Sequence, residues 1–181
     1  MSKQVAFKRL GLESYPEIYD LYRRNENDPR IREEFGDGFY HFLTPNSTKN
    51  RVLDMYVNGI PLRVGELMYT EGPNARAVGF GWLGLSEEVK ILTPEEQVFL
   101  GANVSGFIEE DYRNKDLGKL GAIKLLEDFL EMQEKSEVWR SATLWTGAKP
   151  ENAASIGLLS SLGFEKVGIL GNDSRYDVYT Y

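Results

Sequence analysis

Apolar and polar positions alternate along residues 4–10 (QVAFKRL), the two-residue period of a strand with one face in a core. Tyr15, Ile18, Tyr19 and Tyr22 then recur at helical spacing, which predicts a helix over 15–25. From Asn27 to Pro45 the chain is charged and rich in Gly and Pro, an irregular composition. Ser47 suits the N-cap of a helix running to about Val57, with Val52, Leu53 and Tyr56 on one face. Two β-rich runs, 61–70 and 76–85, are joined by Glu71-Gly72-Pro73-Asn74 and predict a hairpin. A strand follows at 97–108, interrupted by Gly101 and Gly106, and then the strongest helix pattern, 117–135, with Leu120, Ile123, Leu126, Phe129 and Leu130 recurring every three or four positions. The rest reads as a strand at 138–146, a helix at 151–162 stopped by Gly163, and strands at 164–170 and 175–181. Alternating strands and helices predict an α/β (α+β) domain of helices packed on a sheet, with residues 1–181 forming one domain.

Composition narrows the functions open to such a domain. With 181 residues, 41% hydrophobic and 12% aromatic, the chain can bury a core and is not a disordered polymer. A formal net charge of -7 argues against a general nucleic-acid binder, which needs a broad basic surface. The absence of cysteine excludes disulfides, thiolate metal sites and a cysteine nucleophile, and the single histidine, His41, excludes a multi-histidine metal centre, so no metal is expected. No apolar run approaches the roughly 18 residues of a membrane span, and MSKQVAFKRL lacks a secretory h-region. The expectation is a cytoplasmic protein without a membrane partner.

Candidate chemistry begins where the 97–108 strand feeds the 117–135 helix. The junction reads Glu109-Glu110-Asp111-Tyr112-Arg113-Asn114-Lys115-Asp116-Leu117-Gly118-Lys119. Unpaired amides and the helix dipole make the start of a helix attractive to anions. Arg113, Lys115 and Lys119 add positive charge, and Gly118 permits close approach of a phosphate. An ordinary solvated turn would carry the same composition, so this segment alone does not decide between the two.

A second segment does. Arg113 to Gly118, with Asn152, Ser155, Ile156, Leu162, Gly163 and Phe164 further on, resembles the GCN5-related N-acetyltransferase (GNAT) superfamily. Its loop pattern is Arg or Gln, two residues, Gly, one residue, Gly or Ala, and its later motif is Asn-x-x-Ser-Ile ending in Leu-Gly-Phe. Leu158-Leu159 and the ending Tyr176-Asp177-Val178-Tyr179 lean towards the branch that acetylates ribosomal-protein N-termini and related amines. The resemblance implies a mixed, mostly antiparallel sheet flanked by helices, in which the strands at 97–108 and 138–146 run parallel and splay to form an acyl-CoA slot. It implies acetyl-CoA as cosubstrate, its pyrophosphate on the amides of Arg113, Asn114, Lys115, Asp116, Leu117, Gly118 and Lys119. Phe107 and Ile108 would contact it from the strand, and Asn152 and Ser155 from the later helix. A bulge at Gly106 or Phe107 would aim an N–H at the thioester oxygen, and an amine acceptor, a small molecule or a protein N-terminus, would attack directly.

The sequence departs from that pattern at three places. Asp116 stands where the family usually has its first glycine, either repelling the pyrophosphate or facing away as an N-cap. The mid-strand place of a general base holds Asn103, and the later-helix place of a general acid holds Leu159; neither transfers a proton at neutral pH. Glu66 and Glu109 are the other candidates for a base, each equally suited to a solvated surface role. His41, Tyr176 and Tyr179 are candidates for the acceptor cleft, and Trp82, Trp139 and Trp145 read as strand residues packed on the sheet. The alternative from another class is a catalytically silent GNAT-like module that binds CoA or a protein partner. The aromatic edge at 176–181 offers a surface for a homodimer.

Overall fold

The computed structural model describes residues 5–28, 63–71, 73, 75–92, 97–113, 116–171 and 173–181. The helix expected from Ser47, His41, and most of the irregular stretch 27–45 lie outside the described residues, as do Asn114 and Lys115. Seven strands, β1 (Val5–Arg9), β2 (Arg63–Thr70), β3 (Ala77–Leu92), β4 (Gln97–Ile108), β5 (Thr143–Ala148), β6 (Glu165–Leu170) and β7 (Asp177–Thr180), form a sheet in the order β1-β2-β3-β4-β5-β7-β6. Among the described residues four helices accompany them: α1 (Tyr15–Arg24), α2 (Leu117–Lys135), α3 (Glu137–Arg140) and α4 (Ala153–Ser161). The pairings β1–β2, β3–β6, β5–β7 and β6–β7 are antiparallel and β4–β5 is parallel, so the expected mixed, mostly antiparallel sheet is found.

The chain divides into two compact units, one of residues 1–81 and 106–121, the other of 82–105 and 122–181. In the first, Pro16 opens α1 and the helix buries Ile18, Leu21 and Tyr22, the i, i+3, i+4 face of the expected amphipathic helix. Tyr22, Phe80 and Phe107 form a ring cluster with centroids 5.6–6.3 Å apart. Met68, Val78, Tyr112 and Leu117 make a second cluster, with Val5, Phe7 and Ile108 against it. Thr70 N donates to Arg76 O at 3.1 Å, closing the expected hairpin connection.

The second unit is centred on Val89, Ile91, Trp145 and Val178, with Phe99, Val167 and Leu170 packed on them. A Cβ at Gly101 would overlap the Trp145 indole and Val89, so the residue read as an interruption of the strand is the space the indole fills. Three expectations need correction here. The strand placed at 138–146 is helix α3 followed by β5, because Trp139 is fully buried and lies edge-on to Phe129 at 6.2 Å instead of standing on a sheet face. The strand placed at 76–85 continues to Leu92, where Ile91 and Leu92 pair with β6. On α2 the buried stripe is Leu117, Gly121, Leu125, Phe129 and Met132, whereas Leu120 and Leu130 are 46% and 50% exposed. That helix is apolar on more than one side, and its sequence period did not reveal which side the core would cover.

Candidate functional site

β4 and β5 run side by side over a short stretch. Gly101, Ala102 and Asn103 pair with Thr143, Leu144 and Trp145, and the register ends there. β4 continues as strand to Ile108, and β5 continues to Ala148, held on its other side by β7 through Ala148↔Asp177. Beyond Asn103 and Trp145 the two strands therefore no longer exchange hydrogen bonds, which leaves backbone N–H and C=O groups that an extended ligand could engage. This is the parallel, parting pair expected from the sequence, with β5 beginning five residues later than the strand placed at 138.

In the first unit, β4 passes into a 3-10 turn (Glu110–Tyr112) and then α2. Leu120 N donates to Asp116 O at 3.0 Å, and among the described residues the amides of Leu117, Gly118 and Lys119, at the head of the helix, have no partner within it. Asp116 has φ +59°, the left-handed conformation that glycine adopts without strain. The aspartate thus takes a backbone shape more usual for glycine, and its exposed side chain stands at the head of the helix.

The turn is tied to α1 by charge. Glu109, buried at the end of β4, accepts from Arg24 Nε at 3.2 Å, pairs with Arg76 Nη1 at 2.7 Å and receives Asn25 Nδ2 at 3.5 Å. Burial pushes its carboxyl up, but the hydrogen bonds from Arg76 and Arg24 outweigh this and hold it below the ordinary carboxylate value. Arg113 donates through Nε to Ile108 O at 2.9 Å and through Nη2 to Asp28 at 2.6 Å, with its guanidinium over the Phe107 ring. Its backbone N–H is already bonded to Glu110 O at 3.1 Å and so is not free for another acceptor.

The residues singled out from the sequence divide between the units. Glu66, Phe107, Ile108, Glu109, Arg113, Asp116, Leu117, Gly118 and Lys119 fall in the first, and Asn103, Asn152 and Ser155 in the second. Glu66 is buried on β2 with Arg9 Nε at 3.7 Å. Asn152 Oδ1 accepts from Ser155 N at 3.2 Å, capping α4, while Gly163, with φ +90°, follows its end. Sequence reasoning did not foresee Asp28, Arg24 and Arg76 as partners of the turn: ion pairs across 33 to 85 residues leave no local periodicity to read.

No family model and no curated relative matches this sequence. Solved structures do resemble it in shape. The ribosomal-protein-S5-alanine acetyltransferase from Vibrio fischeri superposes with a TM-score of 0.68 at 15% identity, covering 97% of this chain and 90% of that one. RimL, the ribosomal L7/L12 alpha-N-protein acetyltransferase in complex with coenzyme A, gives 0.69 at 10% identity over 100% and 94%. An acetyltransferase of the GNAT family from Streptococcus pneumoniae gives 0.61 at 15% identity over 98% and 96%. The fold of this chain is the fold of these GNAT acetyltransferases, as the resemblance carried by the two sequence motifs implied.

Proposed function

We propose that residues 1–181 form one acetyltransferase domain that moves the acetyl group of acetyl-CoA to a primary amine, working in the cytoplasm on a protein N-terminus or a small amine. The observation that carries this reading is the end of β4–β5 pairing at Asn103 and Trp145 while both strands run on. In this reading the pantetheine arm bonds to the backbone exposed there. Phe107 and Ile108 contact the carrier. Its diphosphate engages the turn from Arg113 through Asn114, Lys115, Asp116, Leu117 and Gly118 to Lys119, and Asn152 and Ser155 lie along α4. A backbone N–H at Gly106 or Phe107 stabilises the oxyanion. The amine nitrogen bonds to the thioester carbon, the C–S bond breaks, the sulfur leaves as thiolate, and the amine's proton passes to solvent.

No side chain is assigned as general base. Glu109 is ionised but held by two arginines, which makes it a poor proton acceptor. Asn103 cannot take a proton, and Leu159 is buried apolar surface. Such a site favours an amine that is neutral without help: about one α-amine in ten at pH 7, against fewer than about one lysine in a thousand. The same two residues support the second reading, a CoA-binding module without turnover. Thiol release from acetyl-CoA, measured with a panel of amines and peptides, separates them. Acceptor-dependent release supports the enzyme, and CoA binding by calorimetry with no release from any acceptor supports the module.

A further inference from the structure

Glycines inside the strands are of two kinds. At three of them the place of a Cβ is already taken: by Leu10 at Gly65, by Phe107 O and the Met68 methyl at Gly79, and by the Trp145 indole at Gly101. Gly106 differs. It is exposed, and beyond its chain neighbours only two atoms of the described residues lie within 4 Å of where its Cβ would be. Both are backbone, Phe80 O at 3.2 Å and Gly81 Cα at 3.5 Å. Gly81 has no side chain to lean over the space, which stays open to solvent. A glycine within a strand weakens it, and packing accounts for the other three but not for Gly106. Ile108, two residues on and so on the same face, is half-buried and gives the gap an apolar wall. Phe80, Gly81, Gly106 and Ile108 all belong to the first unit.

The Gly106 amide also faces the side where a ligand has room. Glu109 N donates to Val78 O at 2.8 Å, and amide direction alternates along a strand. The Phe107 N–H therefore points towards β3, and the Gly106 N–H points to the other edge of β4, whose pairing with β5 ends at Asn103. With the thioester oxygen on the Gly106 N–H, the acyl carbon lies beside the gap. We infer that the gap over Gly106 receives the acyl group and admits chains longer than acetyl, at least as long as butyryl, with Gly106 the residue that sets the length. The inference rests on the acetyl-transfer reading and deepens it by naming the class of donor. An acetyl group leaves the gap partly filled by water, and each further methylene displaces some of it from the Ile108 wall. The transfer step keeps its form: the amine nitrogen bonds to the acyl carbon, the C–S bond breaks, the sulfur leaves as thiolate and the proton passes to solvent.

Calorimetry on the whole chain compares acetyl-CoA with butyryl-CoA and needs no acceptor. Wild type is expected to bind butyryl-CoA several-fold more tightly, because two more methylenes leave water. Acetyl-CoA bound as tightly as butyryl-CoA, or more tightly, overturns the inference alone. Gly106→Ala puts a methyl group into the gap and should lower the ratio of butyryl-CoA to acetyl-CoA affinity several-fold; Gly106→Val should lower it further. Ile108→Ala removes the wall, should lower the same ratio, and carries this arm if neither Gly106 variant folds. A ratio unchanged in every variant that folds overturns the inference, since the longer chain then lies elsewhere. Thiol release from butyryl-CoA should accompany release from acetyl-CoA with the same amine, and release from acetyl-CoA alone also counts against the gap. Protein that releases thiol from neither donor with any acceptor overturns the acetyl-transfer reading and this inference with it.

Discussion

At the turn after β4, Glu109 and Asp28 are gripped by Arg24, Arg76 and Arg113, and the backbone follows from where those charges meet. At the parting of β4 and β5, by contrast, the structure is set by shape: an indole laid over a glycine, flanked by Val89, Ile91 and Val178, with Asn103 and Ser105 the polar pair on that face of β4. The first arrangement depends on ionisation and the second does not. In the proposed reading the turn holds a diphosphate and needs a fixed backbone, and the ion pairs supply that fixity. In the same reading the parting strands hold an acyl chain and need a dry wall, and packing supplies that.

The sharpest way to break this comparison is Gly101→Val. It forces side-chain volume into the space of the Trp145 indole and should cost about 3 kcal/mol in denaturant unfolding, with no change in the pH dependence of stability. Next is Glu109→Gln, expected to cost about 1–2 kcal/mol at neutral pH, since Arg24 and Arg76 are left with a weaker partner but keep access to solvent. The pH dependence tests the charged arrangement directly. The folded-state carboxyl of Glu109 sits below its ordinary value of 4.5, so its contribution is complete above that value and is lost as pH falls through the lower folded one. Acid titration of unfolding should therefore be flatter for Glu109→Gln than for wild type below about pH 4.5; an identical acid slope would show that the pair does not stabilise the turn.

Smaller effects sharpen the contrast. Asn152→Ala removes the α4 cap and should lower stability by about 1 kcal/mol, with Asn152→Asp retaining most of it, as read from thermal unfolding. Asp116→Gly acts in the opposite direction. It relieves a left-handed aspartate, gaining about 0.5–1 kcal/mol, and removes a negative charge from the head of α2. CoA binding by calorimetry should tighten; affinity that is unchanged or weaker would show that the side chain does not oppose the diphosphate.

Much of this molecule could be read from its residues. Alternation in β1, the spacing of Ile18 and Tyr22, Gly163 after α4, and the pair of motifs around Arg113 and Asn152 are local signals, and they located the elements and the GNAT fold. The failures were also local in origin. Trp139 carries a strand-like side chain, but it is fully buried beside Phe129, and tertiary burial overrode propensity. Leu120 and Leu130 fit the helical period as well as Leu125 does, and only packing determined which of them is covered.

By itself, then, the sequence determined most of the strands and helices, the excluded chemistries that follow from one histidine and no cysteine, and the place of the turn between β4 and α2. Tertiary structure alone decided that Asp116 takes a glycine's conformation, that Glu109 is committed to two arginines, and that Asn103 stands where two strands part. The reason is range. Periodicity and capping act within a few residues, whereas an ion pair or a strand register joins positions dozens of residues apart, and the free energy that selects it exists only once the chain has brought them together.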